Sequence, residues 1–167
     1  AFERGAGYLA GPARGRAAAF LRHWEDPAVA AIVAARGGYG SVQILPIISA
    51  GLGPGAPKLF IGYSDNTSVL SWLTSLQGVT ALHGPMIEGR LAQGADGYDE
   101  RSFVGLLQGR GQELVLAPQG LESLRPGEVT GPLFGGTITQ LTASLGTPYA
   151  FDPPAGCVLF LEDVNER

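Results

Sequence analysis

Ser64 stands in the run Ile61-Gly62-Tyr63-Ser64-Asp65, between the apolar stretch Leu59 to Ile61 and a segment of helical character from Ser68 to Leu76. A strand–turn–helix bend of this kind lifts a serine hydroxyl clear of the backbone. Gly62 lets the chain turn sharply. The helix N-terminus behind the serine offers free N–H groups and a partial positive charge to an oxyanion. The chemistry that suits this arrangement is nucleophilic attack on a carbonyl, with Ser64 as the nucleophile. Asn66 breaks the common G-x-S-x-G form, and Ser and Asp are also ordinary helix caps, so the run alone leaves a structural role open.

Two other loops can serve that chemistry. Arg36-Gly37-Gly38-Tyr39-Gly40 and His83-Gly84-Pro85-Met86 each follow a short apolar run. If those runs are parallel strands, both loops share the C-terminal sheet edge with Ser64, where open α/β sheets bind ligands. Gly37 and Gly38 let backbone N–H groups approach a reacting carbonyl, and the N–H of Asp65 would complete an oxyanion hole. His83 is a candidate base, although a histidine at a strand end is more often a hydrogen-bonded structural residue. Glu162 closes another apolar run, where it could orient a catalytic histidine or be an exposed carboxylate. His23 falls on a polar helix face and reads as solvated. Cys157 opens an apolar run and reads as inert core.

The elements that must position these residues follow from periodicity. Arg14 to Glu25 carries Ala17, Phe20, Leu21 and Trp24 at helical spacing, with Asp26-Pro27 as a stop. Ala30 to Ala35 is wholly apolar, as expected of a buried parallel strand. Val42 to Ile48 reads as a helix interrupted by Pro46. Leu59 to Ile61 and Val79 to Leu82 read as strands, with a helix over Thr67 to Leu76. Glu88 to Tyr98 reads as a long surface loop, Asp99 to Leu107 as a helix and Glu113 to Leu116 as a strand. Gln119 to Pro126 has a linker's composition. Gly135-Gly136 is expected to open a helix over Thr137 to Leu145, and Val158 to Leu161 to form a strand. Strand–loop–helix alternation at this spacing predicts an α/β fold, a parallel sheet with flanking helices. A second, smaller α/β domain begins within residues 110–130. We divide the chain into 1–115, carrying the nucleophile, and 116–167.

Composition narrows the function. With 45% hydrophobic and 16% charged residues, the chain of 167 residues is globular. A net charge of −4 gives no electrostatic case for nucleic acid. No apolar run reaches the ~18 residues of a membrane span, and no basic-then-apolar leader opens the chain. The single cysteine excludes an internal disulfide and a cysteine-rich metal site. The chain opens without Met and stops just after a buried-type strand, so we expect it to be a piece of a longer, cytoplasmic protein.

Taken together, the motifs are more specific than any one of them. Ala-Arg-Gly-Gly-Tyr-Gly at 35–40, Ile-Gly-Tyr-Ser-Asp at 61–65 and His-Gly-Pro-Met at 83–86 come in order. Gly-Gly-Thr at 135–137, Leu-Gly-Thr-Pro-Tyr at 145–149 and Leu-Phe-Leu-Glu-Asp-Val at 159–164 follow. In this order and spacing the chain resembles the LD-carboxypeptidase family of serine peptidases, which includes the microcin C immunity peptidases. The resemblance runs from about Gly7 to the last residue.

The resemblance implies a role for each matching position. Ser64 matches the family's nucleophile and Glu162 its triad glutamate. Gly37, Gly38 and Asp65 match the oxyanion hole. The family's triad histidine lies downstream of Arg167, His83 is not that histidine, and the 167 residues alone are expected to be inactive. The resemblance further implies no metal and no cofactor, a murein tetrapeptide as the substrate partner, release of its terminal D-Ala in the cytoplasm during cell-wall recycling, and the option of a homodimer. It equally admits a microcin-immunity-like peptidase that cleaves an acyl-nucleotide amide. A non-catalytic α/β ligand-binding module is the alternative from a different class. A general α/β-hydrolase esterase ranks lower, because Glu162 and the Gly-Gly loop stand in the wrong sequence context.

Overall fold

The structure is a computed structural model that describes residues 8–53, 57–114 and 120–164. Helix α1 spans Ala13–Glu25 and buries Ala17, Phe20 and Trp24, the stripe that its spacing predicts. Strand β1 (Ala31–Val33) follows, within the predicted apolar run. A 3₁₀ turn (Val42–Ile44) then leads into helix α2 (Leu45–Gly51). Pro46 does not interrupt this segment. It occupies the first turn of α2, where a missing N–H costs nothing.

Strand β2 (Leu59–Gly62) passes through a 3₁₀ turn at Ser64–Asn66 into helix α3 (Thr67–Ser71), which continues as one π-helical turn over Trp72–Leu76. Strand β3 (Ala81–His83) completes a parallel sheet of order β1-β2-β3. Ile61 pairs in register with Val33 and Leu82, which aligns the three strand ends. Beyond β3 the chain doubles back along the end of β1: the N–H groups of Ile87 and Glu88 donate to the carbonyls of Ala34 (3.2 Å) and Ala35 (2.8 Å).

The core lies between this sheet and its helices. Phe20 stacks on Trp24 at 5.3 Å and meets the edge of Phe60 at 5.8 Å. Ile44, Leu45 and Ile48 close one side, and Val69, Leu70, Trp72 and Leu73 the other.

The expected surface loop at 88–98 holds a 3₁₀ stretch, Leu91–Gly97, and is largely exposed. Helix α4 (Glu100–Leu107) is capped by Asp99, whose carboxylate accepts from the Ser102 N–H at 2.9 Å. The strand expected over Glu113 to Leu116 is not formed in its described part, where Gly111–Glu113 is a 3₁₀ turn. Val115 and Leu116 lie outside the described residues, as does Gln119 of the predicted linker.

The second half departs from expectation at its glycines. Gly135 and Gly136 do not open a helix. They end strand β4 (Leu133–Thr137), and helix α5 (Ile138–Ser144) starts after them. The reason is steric. A methyl group on Gly135 would stand 1.7 Å from the Phe160 carbonyl oxygen, and one on Gly136 would stand 2.6 Å from Thr67 Cγ2. Only bare backbone can pass between strand β5 (Val158–Glu162) and α3 at this point. β4 and β5 pair in parallel as a separate sheet, with Gly136 opposite Leu161 and Thr137 opposite Glu162. The fold is therefore α/β: a parallel three-stranded sheet with flanking helices and a second, smaller parallel sheet.

Candidate active site

Ser64 occupies the sharp turn between β2 and α3. Its φ is +59°, a left-handed conformation that a non-glycine residue seldom adopts. Among the described residues it is the one non-glycine with positive φ. Such a conformation costs about 1–3 kcal/mol and persists where its surroundings enforce it. They do so here. Gly62 leaves no room beside it, since a methyl there would lie 3.0 Å from Asn66 Cβ and 3.2 Å from Ala34 Cβ.

The Gly37-Gly38 loop lies against the serine. A methyl on Gly37 would stand 3.1 Å from both Cβ and Oγ of Ser64, and 3.4 Å from Met86 Cε. No backbone carbonyl among the described residues accepts from the N–H of Gly37 or of Gly38. Gly38 has a φ of +114°, a region reserved in practice for glycine.

Both ends of this loop are fastened to the serine turn by residues next to Ser64. Asn66 Nδ2 donates to the Arg36 carbonyl at 3.1 Å, at the loop's start. Buried Asp65 accepts the Ser41 N–H on Oδ2 at 2.9 Å, just past its end, and the Ser41 hydroxyl donates to the Asp65 carbonyl. From the outer side Arg16 donates to the Gly40 carbonyl at 2.7 Å. Asp65 was expected to contribute its N–H alone. Its carboxylate and the Asn66 amide are ties that sequence reasoning missed. The signal was the departure from G-x-S-x-G: a side chain stands where that form has glycine.

Glu162, the last residue of β5, comes to the same edge. The Thr137 hydroxyl donates to Glu162 Oε1, and Ser64 O lies 3.5 Å from that hydroxyl. The Thr137 N–H donates to Thr67 Oγ1 at 3.3 Å, so a seam of threonines joins the serine turn to the glutamate. Ser68 adds a bond to Gln140 Oε1 at 2.9 Å. Neither Thr67 nor Thr137 was singled out from sequence.

His83 also reaches Glu162, with Nε2 3.9 Å from Oε1. Its ring packs edge-on to Phe160 at 5.1 Å and near Tyr63 at 6.0 Å. Burial lowers its pKa below the ordinary 6.5, and the Glu162 carboxylate only partly opposes that shift. At neutral pH His83 is therefore uncharged beside the glutamate. Asp163, next in the chain, is held by the Thr139 hydroxyl and N–H at 2.6 and 2.8 Å, which lower its pKa.

The residues singled out elsewhere stay apart from this edge. His23 is exposed and its Nδ1 lies 2.6 Å from the Ala19 carbonyl. Cys157 sits just before β5 and is half-buried, outside the core that the sequence suggested, because β5 itself is largely exposed. A shallow hollow of about 310 Å³, lined by Pro57, Lys58, Leu59, Gly78, Val79 and Thr80, opens at the other ends of β2 and β3, away from Ser64. Among the described residues no three His, Cys, Asp or Glu side chains converge as a metal site.

What the edge assembles is a strained serine, a glycine loop with unclaimed N–H groups and a carboxylate fixed by a hydroxyl. The LD-carboxypeptidase N-terminal domain profile matches residues 1–84, and the C-terminal domain profile of the same family matches residues 130–167. The chain belongs to the LD-carboxypeptidase family. The murein tetrapeptide carboxypeptidase of Pseudomonas aeruginosa is 34% identical over 168 residues, covering 95% of this chain and 53% of that protein. A Streptomyces coelicolor protein with a carboxypeptidase name is 36% identical over 172 residues, covering 96% and 51%. The solved muramoyltetrapeptide carboxypeptidase of Oxalobacter formigenes superposes with a TM-score of 0.76 at 26% identity, over 98% of this chain and 54% of that one. The chain thus spans about half the length of the relatives it matches. Within the LD-carboxypeptidase family the two profiles meet this chain on either side of the site, one at the serine turn and one at the glutamate strand.

Proposed function

We propose that this chain contributes the nucleophile, oxyanion hole and triad carboxylate of a serine carboxypeptidase. The enzyme would hydrolyse the amide between an L-configured centre and a terminal D-amino acid, releasing D-Ala from a murein tetrapeptide in the cytoplasm. The observation that carries this reading is the left-handed Ser64 with Gly37 packed on its hydroxyl. Ser64 Oγ attacks the scissile carbonyl as its proton passes to a base. The resulting oxyanion is held by N–H groups of Gly37 or Gly38 and of Asp65. Collapse of the intermediate expels D-Ala, which takes the proton, and water then hydrolyses the acyl-serine. Glu162 holds the base in its productive tautomer. In this reading that base is a histidine outside these 167 residues, and the 167 residues alone are inactive. The chain divides after residue 115 into the part that supplies the nucleophile and the part that supplies the glutamate.

The test is D-Ala release by the full-length chain. Ser64→Ala should lower kcat by about 10⁴-fold or more with the fold intact, the scale seen when a serine nucleophile is removed. His83→Ala should cost less than about tenfold, because it removes a neighbour of Glu162 and no reacting group. Undiminished activity in Ser64→Ala would end the serine reading. A His83→Ala loss as deep as that of Ser64→Ala would make His83 the base. Cleavage of an acyl-nucleotide amide in place of the tetrapeptide would move the protein to the microcin-immunity branch of the family.

A further inference from the structure

We propose that the guanidinium of Arg36 binds the terminal carboxylate of the substrate, and that Glu88 competes with that carboxylate for it. This rests on the carboxypeptidase reading above. An enzyme that cuts only the last amide must recognise the free carboxylate next to it. That carboxylate carbon stands three bonds beyond the scissile carbonyl carbon, within about 4 Å. The group that recognises it must therefore lie beside the nucleophile, and a guanidinium suits a carboxylate best because its fork donates two parallel N–H bonds.

Arg36 is the described cation bonded directly to the glycine that faces Ser64. A methyl on Gly38 would lie 3.9 Å from both its Nε and its Nη2, so the guanidinium overhangs the same loop. Two other cations near this loop or its sheet, Arg16 and Lys58, are committed. Arg16 donates to the Gly11 and Gly40 carbonyls and to Gln43 Oε1. Lys58 donates to the Asp26 and Val29 carbonyls at the start of β2. Arg36 differs in that its backbone is tied to the serine turn through Asn66, whereas its side chain is 63% exposed.

The partner of its guanidinium in the structure is a carboxylate. Glu88 Oε2 lies 3.4 Å from Arg36 Nε, and its own side chain is 66% exposed. The bond from the Glu88 N–H to the Ala35 carbonyl holds Glu88 alongside the start of the loop. An exposed pair of this kind is weak and readily exchanged. A substrate carboxylate entering the site would replace one anion by another, with no charge left unpaired at the guanidinium.

The test measures binding to the full-length chain with Ser64→Ala, which separates affinity from turnover. The ligands are a murein tetrapeptide ending in D-Ala and the same peptide as its C-terminal amide. With Arg36 present the free acid should bind about tenfold or more tightly than the amide. Arg36→Gln should bring that ratio to about 1 by weakening the acid alone, and Arg36→Lys should retain part of it. Glu88→Gln removes the competing anion and should tighten the acid by about two- to fivefold without affecting the amide. An acid-to-amide ratio that survives Arg36→Gln would overturn the proposal. So would an equal loss for both ligands, the mark of a purely structural arginine. Failure of both peptides to bind with Arg36 intact would overturn the murein-peptide reading and this proposal with it.

Discussion

Strands β2 and β5 each end at the candidate site, yet they are held in opposite ways. In β2, Phe60 and Ile61 are buried between helices, and Ile61 is 1% exposed. Within these 167 residues, Leu159, Phe160 and Leu161 of β5 stay open, with Leu161 53% exposed. The serine turn therefore rests on apolar burial, which is non-directional and tolerant of small shifts. Glu162 rests on close backbone approach at Gly135 and Gly136 and on the Thr137 hydroxyl, which are directional and intolerant of them. The nucleophile is placed by a core and the carboxylate by a seam.

Gly135→Ala should break that seam most severely, because the new methyl would overlap the Phe160 carbonyl and the φ of +143° disfavours any side chain. A clash with backbone has no cheap relief, and a loss above about 4 kcal/mol is expected for the β4–β5 pairing. Hydrogen exchange is the measurement: amides of β5 should lose protection while those of Phe60 and Ile61 keep theirs. Loss of protection in both sheets together would mean that the two regions are not separately supported.

The apolar side of the comparison is tested by the same truncation in each strand. Ile61→Ala should cost about 2–5 kcal/mol as a cavity in a packed core. Leu161→Ala should stay within about 0.5 kcal/mol, since water already reaches the side chain. Denaturant midpoints of the 167-residue chain read both, and similar values would erase the distinction.

Thr137→Val probes the hydroxyl alone, since valine keeps the shape and removes the donor to Glu162. We expect a loss of about 1.5–3 kcal/mol, the range for a hydrogen bond to a charged group. In the full-length chain, kcat should fall by up to about 100-fold with KM little changed, because the carboxylate that orients the base would drift. A change confined to KM would place Thr137 in substrate binding instead.

The smallest effect is the pH response of His83. Its pKa in the folded chain lies below the ordinary 6.5, chiefly through burial. As pH falls below 6.5 the unfolded chain takes up the proton first, so this contribution to stability is complete above 6.5 and lost toward acid. His83→Gln should flatten the decline of stability with pH in that window. An unchanged slope would mean that Glu162 offsets the burial fully.

Much of the first sheet could be read from the chain. Ala30 to Ala35, Leu59 to Ile61 and Val79 to Leu82 are short, mainly apolar runs between glycine loops, the pattern of parallel strands; full burial was expected of Ala30 to Ala35, but only β2 is largely buried, whereas β1 and β3 are half-buried to exposed. The serine turn was legible for the same reason, because Gly62 and Ser64 sit where a strand must become a helix. Strand β4 was not. Leu133-Phe134-Gly135-Gly136 carries its glycines for contact with Phe160 and Thr67, residues distant in sequence, and locally they look like a turn.

The sequence by itself determined the α/β alternation and the loop that carries Ser64, and it offered Gly37, Gly38 and Asp65 as candidates beside that loop, with a triad role for Glu162 implied only by the family resemblance. The alternation and the loop depend on local conformational preference and apolar periodicity, which neighbouring residues encode. Tertiary structure alone decided that Asn66 and Asp65 tie down the glycine loop, that Thr137 fastens Glu162, and that His83 comes within 3.9 Å of that carboxylate. Each of these contacts joins residues 20 to 80 positions apart. A polar side chain has no periodicity that reveals its distant partner, and only the packing of one element on another brings donor and acceptor within reach.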